Sequence, residues 1–407
     1  MTLKFLLTSS FYPPFHLGGD AIHVKYLASE LVKLGHEVHV MYSLDAYRAK
    51  RQQMYEDAST NGIYAHVVAT PFNSSAYAAY LFGNSRVADK IFSRLVKEIR
   101  PDVVHHNNIS LLGYSLFKKR GNYVNLYTAH DYWLFCQQNN LLKYGVAECK
   151  EKNCFQCSLR IRRPRQVWRY FPAFQHAIEE LDLVIAPSKF MLQTLRNEFS
   201  TLNLTHITNF VPRPIEDEND RKKERFFVYV GVLERHKGLI PLLENYARYL
   251  KHDRSRGLGL KIIGTGSLHD FIDDFIRENE LDDCVSMLGR LPSVWEYLAR
   301  GIALVLPSIC PENAPLVALE SLSTGTPVIG ADIGGIPEIV NSVDRRLVFS
   351  WESAADFERA LDFACENQEE LRTQAFHAFS RQFSPEVYTR RYFEEIDRLG
   401  AGGPCAS

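Results

Sequence analysis

Apolar residues fall along this chain in short runs rich in Val, Ile, Leu and aromatics, separated by longer amphipathic stretches. In the first half Leu3–Thr8, Val38–Tyr42, Val103–His105, Val124–Tyr127, Leu183–Ala186 and His206–Thr208 read as strands. Helical spacing lies between most of them, as in Ala21–Leu34 with its stop at Gly35, and that alternation predicts a parallel sheet with helical crossovers. A second series begins at Phe226–Val230 and continues through Leu260–Ile263, Val285–Leu288, Ala303–Leu306, Val328–Ile329 and Leu347–Phe349. The fold class expected is therefore α/β, with two Rossmann-like, doubly wound domains. Between them residues 213–224 lose apolar periodicity and carry a charge run, as an exposed linker does. This places one domain at 1–212, the second at 225–385, and a terminal helical segment at 386–407.

The 407 residues suffice for domains with sizeable cores, and 46% hydrophobic with 23% charged residues is an ordinary globular composition. A net charge of -1 argues against a nucleic-acid binder that works by overall electrostatics, so an anionic partner must be met locally. No apolar run approaches the length of a membrane span, and Met1–Ser10 turns polar too soon for a signal peptide. A cytoplasmic protein is expected, attached at most to the inner face of the cytoplasmic membrane.

The richest chemistry lies between the runs at 303–306 and 328–329. Pro315 suits the first position of a helix, Asn313 or Ala314 its cap, and Gly325 with Pro327 its stop. Glu312 then falls in the preceding loop and Glu320 in the second turn. The first turn leaves the N–H groups of Leu316 and Val317 without intrahelical partners at the positive end of the helix dipole, which suits a diphosphate. A carboxylate on either side can accept sugar hydroxyls.

This segment, a glutamate, seven residues and a second glutamate just after a strand, resembles the signature of retaining GT-B glycosyltransferases of family 4. The resemblance covers nearly the whole chain. It implies two domains facing a central cleft, a first glutamate (Glu312) on the donor sugar and a second (Glu320) on the ribose hydroxyls. It also implies a last helix that crosses back to the first domain, a role open to Val387–Leu399.

Other motifs fit the same resemblance. Gly18–Gly19, after the first strand, matches a glycine pair that contacts the donor diphosphate, where a missing side chain lets the backbone approach closely. Lys237, in Gly231–Gly238, matches the phosphate-binding lysine. Val232 stands where the family has arginine, and Arg235 is the candidate to replace it. Fixed cations there favour the charge gathering on the leaving diphosphate. His130 ends a predicted strand where the family places a histidine on the donor sugar, whereas His105 and His106 read as structural. Gly264 and Arg290 end strands from which the nucleotide pocket is lined, and Gly334–Gly335 repeats the glycine-loop logic.

Two segments stand outside this scheme. Cys136, Cys149, Cys154 and Cys157 lie in a loop-like excursion at 136–157, and four thiolates can enclose one structural zinc; buried free thiols and an iron–sulfur cluster are the alternatives. Residues 160–171 interleave arginines with aromatics, a composition that meets anionic lipid headgroups or a lipid-diphosphate acceptor, or is simply solvated.

The expected activity is a metal-independent, retaining transfer of a sugar from a nucleotide-sugar donor to a glycan or lipid-linked acceptor, in polysaccharide, lipopolysaccharide or glycolipid assembly. The alternatives are a nucleotide-sugar epimerase of the same fold and a non-catalytic scaffold subunit that keeps it.

Overall fold

The structure, a computed structural model, describes residues 2–50, 62–149, 151–213, 224–252 and 257–401. Most of the expected linker, 214–223, lies outside the described residues.

In chain order the strands are β1 (Lys4–Ser9), β2 (Glu37–Ser43), β3 (Ile63–Val68), β4 (Val103–His106), β5 (Val124–Thr128), the short β6 (Leu142–Lys143) and β7 (Ala147–Glu148), β8 (Leu183–Ala186) and β9 (Leu204–His206). Then follow β10 (Phe226–Val230), β11 (Gly259–Ile263), β12 (Val285–Gly289), β13 (Leu304–Leu306), β14 (Val328–Ala331) and β15 (Val348–Phe349). One sheet has the order β3-β2-β1-β4-β5-β8-β9 and another β12-β11-β10-β13-β14-β15, both parallel throughout, while β6 and β7 form an antiparallel hairpin.

The central strands are buried along nearly their whole length, as in β4 and β5, because helices cover both faces. In each sheet the chain builds outward from one strand, then returns to that strand's other side. The reversal falls between β1 and β4 in the first sheet and between β10 and β13 in the second, and ligands of doubly wound folds bind at such a switch point.

The chain divides into two compact units. The first comprises Met1–Asn139, Asn153–Asn209 and Tyr388–Ser407; the second comprises Asn140–Lys152 and Phe210–Val387. The last helix, Pro385–Arg398, contributes its residues from Tyr388 onward to the first unit. There the Tyr392 hydroxyl lies 2.9 Å from His105 Nδ1, and Glu395 accepts from the Thr205 hydroxyl at 2.7 Å.

The structure departs from the sequence reading locally. Ile63–Val68 is a strand that was not among those expected. The first helix runs Gly18–Lys33, not from Ala21, so both glycines belong to its first turn. The cysteine segment is not loop throughout, since Cys154–Arg160 is a helix capped by the Asn153 side chain on the Gln156 N–H.

Candidate active site

In the second unit, β10 and β13 are neighbours, so the loops leaving their carboxyl ends, Gly231–Gly238 and Pro307–Pro315, start side by side. The Ile309 N–H donates to the His236 carbonyl at 3.1 Å, joining them. At Gly238 the backbone is left-handed (φ 73°), and a Cβ there would stand 1.7 Å from the Pro307 carbonyl oxygen. Gly238→Ala is thus expected to lower stability by about 2 kcal/mol or more, read as a lower urea midpoint, since the strain and the clash add.

These loops bring together two of the residues singled out by sequence. Lys237 Nζ lies 2.5 Å from Glu312 Oε1, and the Ser308 hydroxyl donates to the same oxygen at 2.8 Å. Burial alone would push the Lys237 ammonium down, but the Glu312 charge and its hydrogen bond work against it and the pKa is raised. Burial likewise pushes Glu312 up, and Lys237, with the two hydrogen bonds, brings it below the usual carboxylate range. The pair is therefore an ammonium and a carboxylate at neutral pH. The side chains remain 26% and 18% exposed, open enough for a ligand to reach them.

Both bonds to Glu312 fall on Oε1, which leaves Oε2 to accept from a ligand hydroxyl. The Glu312 carbonyl takes the Gly335 N–H at 2.7 Å, and a Cβ at Gly334 would come 2.4 Å from that oxygen. Gly334–Gly335 thus serves to clamp the carboxylate's own backbone. The neighbouring Cys310 thiol is pushed up to about 12 by burial, then by Glu312, so it stays protonated and unreactive.

The helix that follows is Leu316–Ser323, and its N-cap is Pro315 itself (φ -64°, ψ 120°), with no side-chain cap. This corrects the placement of Pro315 as the first helical residue and of Asn313 or Ala314 as the cap. Proline's fixed φ also suits the extended cap, whose carbonyl accepts the Ala318 N–H at 3.0 Å. Leu316 and Val317 precede that first bond, the place where backbone N–H groups meet an anion. Glu320 follows in the second turn, half-buried.

Gly264 sits at the end of β11, packed on the first loop: its N–H goes to the Gly289 carbonyl at 2.8 Å, and the adjacent Thr265 carbonyl takes the Leu233 N–H at 3.0 Å. Arg235 is exposed on the same single turn as Lys237, and Arg290 is exposed just beyond β12. Neither contributes to the Lys237–Glu312 contact.

In the first unit His130 follows β5, and its Nε2 lies 3.0 Å from Asn107 Oδ1, just beyond β4. Its ring meets that of His23 edge-on at 4.9 Å. Burial pushes His130 down to about 3, so the imidazole is neutral and acts by hydrogen bonding. Gly18 and Gly19 are exposed at the start of the helix after β1, and Asp20 beside them accepts from Asn108 Nδ2 at 2.6 Å. The carboxyl of Asp131 is raised to about 7 by burial and by Asp20, against hydrogen bonds from the Trp133 N–H and Asn139.

Sequence reading missed Ser308 and Asn107. Their only signal was position, a polar residue just past a strand end; the partner of Asn107 lies beyond the next strand, and that of Ser308 four residues on in the same loop.

Cys154 and Cys157 share one turn of a helix, and Cys157 Sγ accepts from Gln138 Nε2 at 2.7 Å. Among the described residues no three His, Cys, Asp or Glu side chains are grouped as metal ligands. Among those residues no helix is long and apolar enough to cross a membrane.

Known proteins resemble this chain along most of its length. A sequence model described as Glycosyltransferase Family 4 matches residues 17–213, and one for glycosyl transferases group 1 matches residues 211–378. An uncharacterized glycosyltransferase of Methanocaldococcus jannaschii is 23% identical over 405 residues, covering 97% of this chain and 99% of its own. Glycogen synthase of Mycobacterium tuberculosis is 26% identical over 364 residues, covering 83% and 80%. Among solved structures, HepE of Anabaena in complex with UDP and glucose superposes with a TM-score of 0.67 at 15% identity, over 98% of this chain and 100% of that one.

Proposed function

Because this chain belongs to the family 4 glycosyltransferases of the GT-B fold, we propose that it transfers a sugar from a nucleotide-sugar donor to an acceptor hydroxyl with retention of configuration. The observation that carries the proposal is the Lys237–Glu312 ion pair at the switch point of the second sheet, one turn ahead of an uncapped helix N-terminus. UDP in a structural neighbour agrees with a nucleotide donor.

In this reading the donor diphosphate lies on the N–H groups of Leu316 and Val317 and draws Lys237 to itself. Arg235 supplies the second cation that Val232 does not. Glu312 holds a hydroxyl of the donor sugar through Oε2, and Glu320 holds the ribose hydroxyls. Gly264 and Arg290 line the nucleotide, and Gly18, Gly19 and neutral His130 of the first unit keep the roles that the family resemblance implies.

As the glycosidic bond breaks, its electron pair passes to the diphosphate oxygen, where fixed cations and helix N–H groups stabilise the charge. The acceptor hydroxyl attacks from the same face and gives its proton to the departing phosphate. The protein positions both reactants and needs neither metal nor cofactor. A glycan or lipid-linked acceptor in polysaccharide, lipopolysaccharide or glycolipid assembly fits this chemistry, and a lipid-linked one would place the enzyme on the anionic inner face of the cytoplasmic membrane.

The test is the anomeric configuration of the product. With an α-linked sugar donor selected from UDP, GDP, ADP and TDP sugars, the anomeric proton of the product is expected to show α coupling by NMR. A β product overturns retention, and sugar conversion without an acceptor points to an epimerase instead.

A further inference from the structure

We propose that the first unit carries a docking surface for an anionic lipid bilayer, formed by the helix Ser74–Phe82 together with residues 155–171. The proposal gives the membrane contact of the preceding reading a surface, and it stands on observations separate from the donor site.

The two segments are one surface. The Trp168 indole N–H donates to the Tyr80 carbonyl at 3.0 Å, and the Tyr80 hydroxyl donates to the Pro164 carbonyl at 3.2 Å. Trp168 also packs against the helix end, where a Cβ on Gly83 would come 2.6 Å from its ring.

Its outer face is apolar to a degree that water does not favour. Phe72 is 94% exposed, Phe82 65% and Tyr170 66%, and Tyr77, Leu159 and Phe171 are also exposed. Single exposed apolar side chains are common, but these six, five of them aromatic, in two adjoining segments and the turn just before the first mark a surface that meets something apolar. The charge beside them is of one sign. Arg160, Arg162 and Arg163 are exposed, and Arg165 is half-buried with its guanidinium 3.4 Å from the centre of the Phe155 ring. No Asp or Glu occurs from 58 to 88 or from 152 to 178.

Arginines and aromatics together suit an interface. Guanidinium groups meet lipid phosphates while rings sit at headgroup depth. A soluble polyanion would satisfy the arginines and leave Phe72, Phe82 and Phe171 in water; a second copy of the chain would bring a second set of like charges. The bilayer answers both halves of the surface.

The experiment is flotation of the full-length protein with vesicles of phosphatidylcholine alone and of phosphatidylcholine mixed with phosphatidylglycerol. Binding is expected only to the anionic vesicles and should weaken with salt. Each arginine near the surface is worth about fivefold in partitioning, so Arg160→Gln, Arg162→Gln, Arg163→Gln and Arg165→Gln together should reduce it by on the order of a hundredfold or more. Phe82→Ser with Phe171→Ser should weaken it at every salt concentration. Circular dichroism checks that both variants keep their fold.

Absence of wild-type binding to anionic vesicles overturns the proposal. So does binding that the aromatic pair does not affect, which would assign the surface to a soluble polyanion, or self-association lost in that pair without vesicle binding, which would assign it to a second copy. Sugar transfer to a water-soluble acceptor, measured alongside, keeps the two readings apart. If transfer persists while flotation fails, only the surface is lost.

Discussion

Lys237→Ala is expected to lower kcat/KM by about 10²–10³-fold, because it removes the fixed cation aimed at the leaving diphosphate. It should also cost about 2 kcal/mol of stability, since Glu312 keeps the Ser308 bond and loses its charge partner. The two effects can be separated. In Lys237→Met combined with Glu312→Leu the buried charge is gone from both sides, so the urea midpoint should recover much of its loss while activity does not. Steady-state kinetics and urea unfolding of the three proteins check this. Activity of Lys237→Ala within about twofold of wild type would place the lysine outside the transition state.

The second large effect is acid lability of the first unit. His23, His105 and His106 are fully buried. Burial holds the first two well below the usual imidazole value and brings His106 to about 3. A folded-state pKa below that of the unfolded chain, near 6.5, means that the unfolded state binds more protons below that value. The stability in question is fully present above about pH 6.5 and is lost as the pH falls toward 3. At pH 5 His106, held near 3, removes about 2 kcal/mol, and His130, also held near 3, removes as much again.

Asp131 has the opposite sign. Its folded pKa of about 7 lies above the unfolded value, so its contribution grows on acidification and offsets about 2 kcal/mol between pH 7 and 5. The net expectation from His106, His130 and Asp131 is a loss of about 2 kcal/mol, to which His23 and His105 add in the same direction, an appreciable part of an ordinary domain's stability. Urea unfolding at pH 7 and pH 5, followed by tryptophan fluorescence, measures it. His105→Gln, which keeps a hydrogen-bonding group between Tyr392 and Thr128, should flatten the dependence. Equal midpoints at the two pH values would mean that these imidazoles gain their protons without unfolding.

Both sheets were legible in the sequence for one physical reason. Parallel strands buried on both faces are written as short apolar runs, and Phe226–Val230 or Leu183–Ala186 stands out whatever surrounds it. Ile63–Val68 escaped because it is a short edge strand whose apolar residues are interrupted by His66, and it leaves Tyr64, Ala65 and Val67 exposed rather than buried on both faces.

The candidate-site residues were legible to different depths. Glu312, Glu320 and Lys237 were found by motif, and only the fold could add that Lys237 and Glu312 touch, being 75 positions apart. Asn107 likewise meets His130 only through the fold, and Ser308 reaches Glu312, four residues on, only once their loop is shaped. The start of the helix at Leu316 was misplaced by one residue because proline's fixed φ fits an extended cap as well as a first turn. The cysteine segment reads as loop in the sequence, yet its two-residue gap between Cys154 and Cys157 spans one helical turn.

The central claim, that this chain binds a nucleotide sugar on the helix flanked by Glu312 and Glu320, is tested most directly by thermal shift against a panel of UDP, GDP, ADP and TDP sugars. A ligand that binds only the folded state raises Tm, by about 2.7 kcal/mol of stabilisation at a concentration one hundred times Kd. The account predicts a rise with one nucleotide class that is abolished in Glu320→Ala while the variant's own Tm stays near that of the wild type. No rise with any member of the panel, or a rise that Glu320→Ala leaves intact, would contradict it.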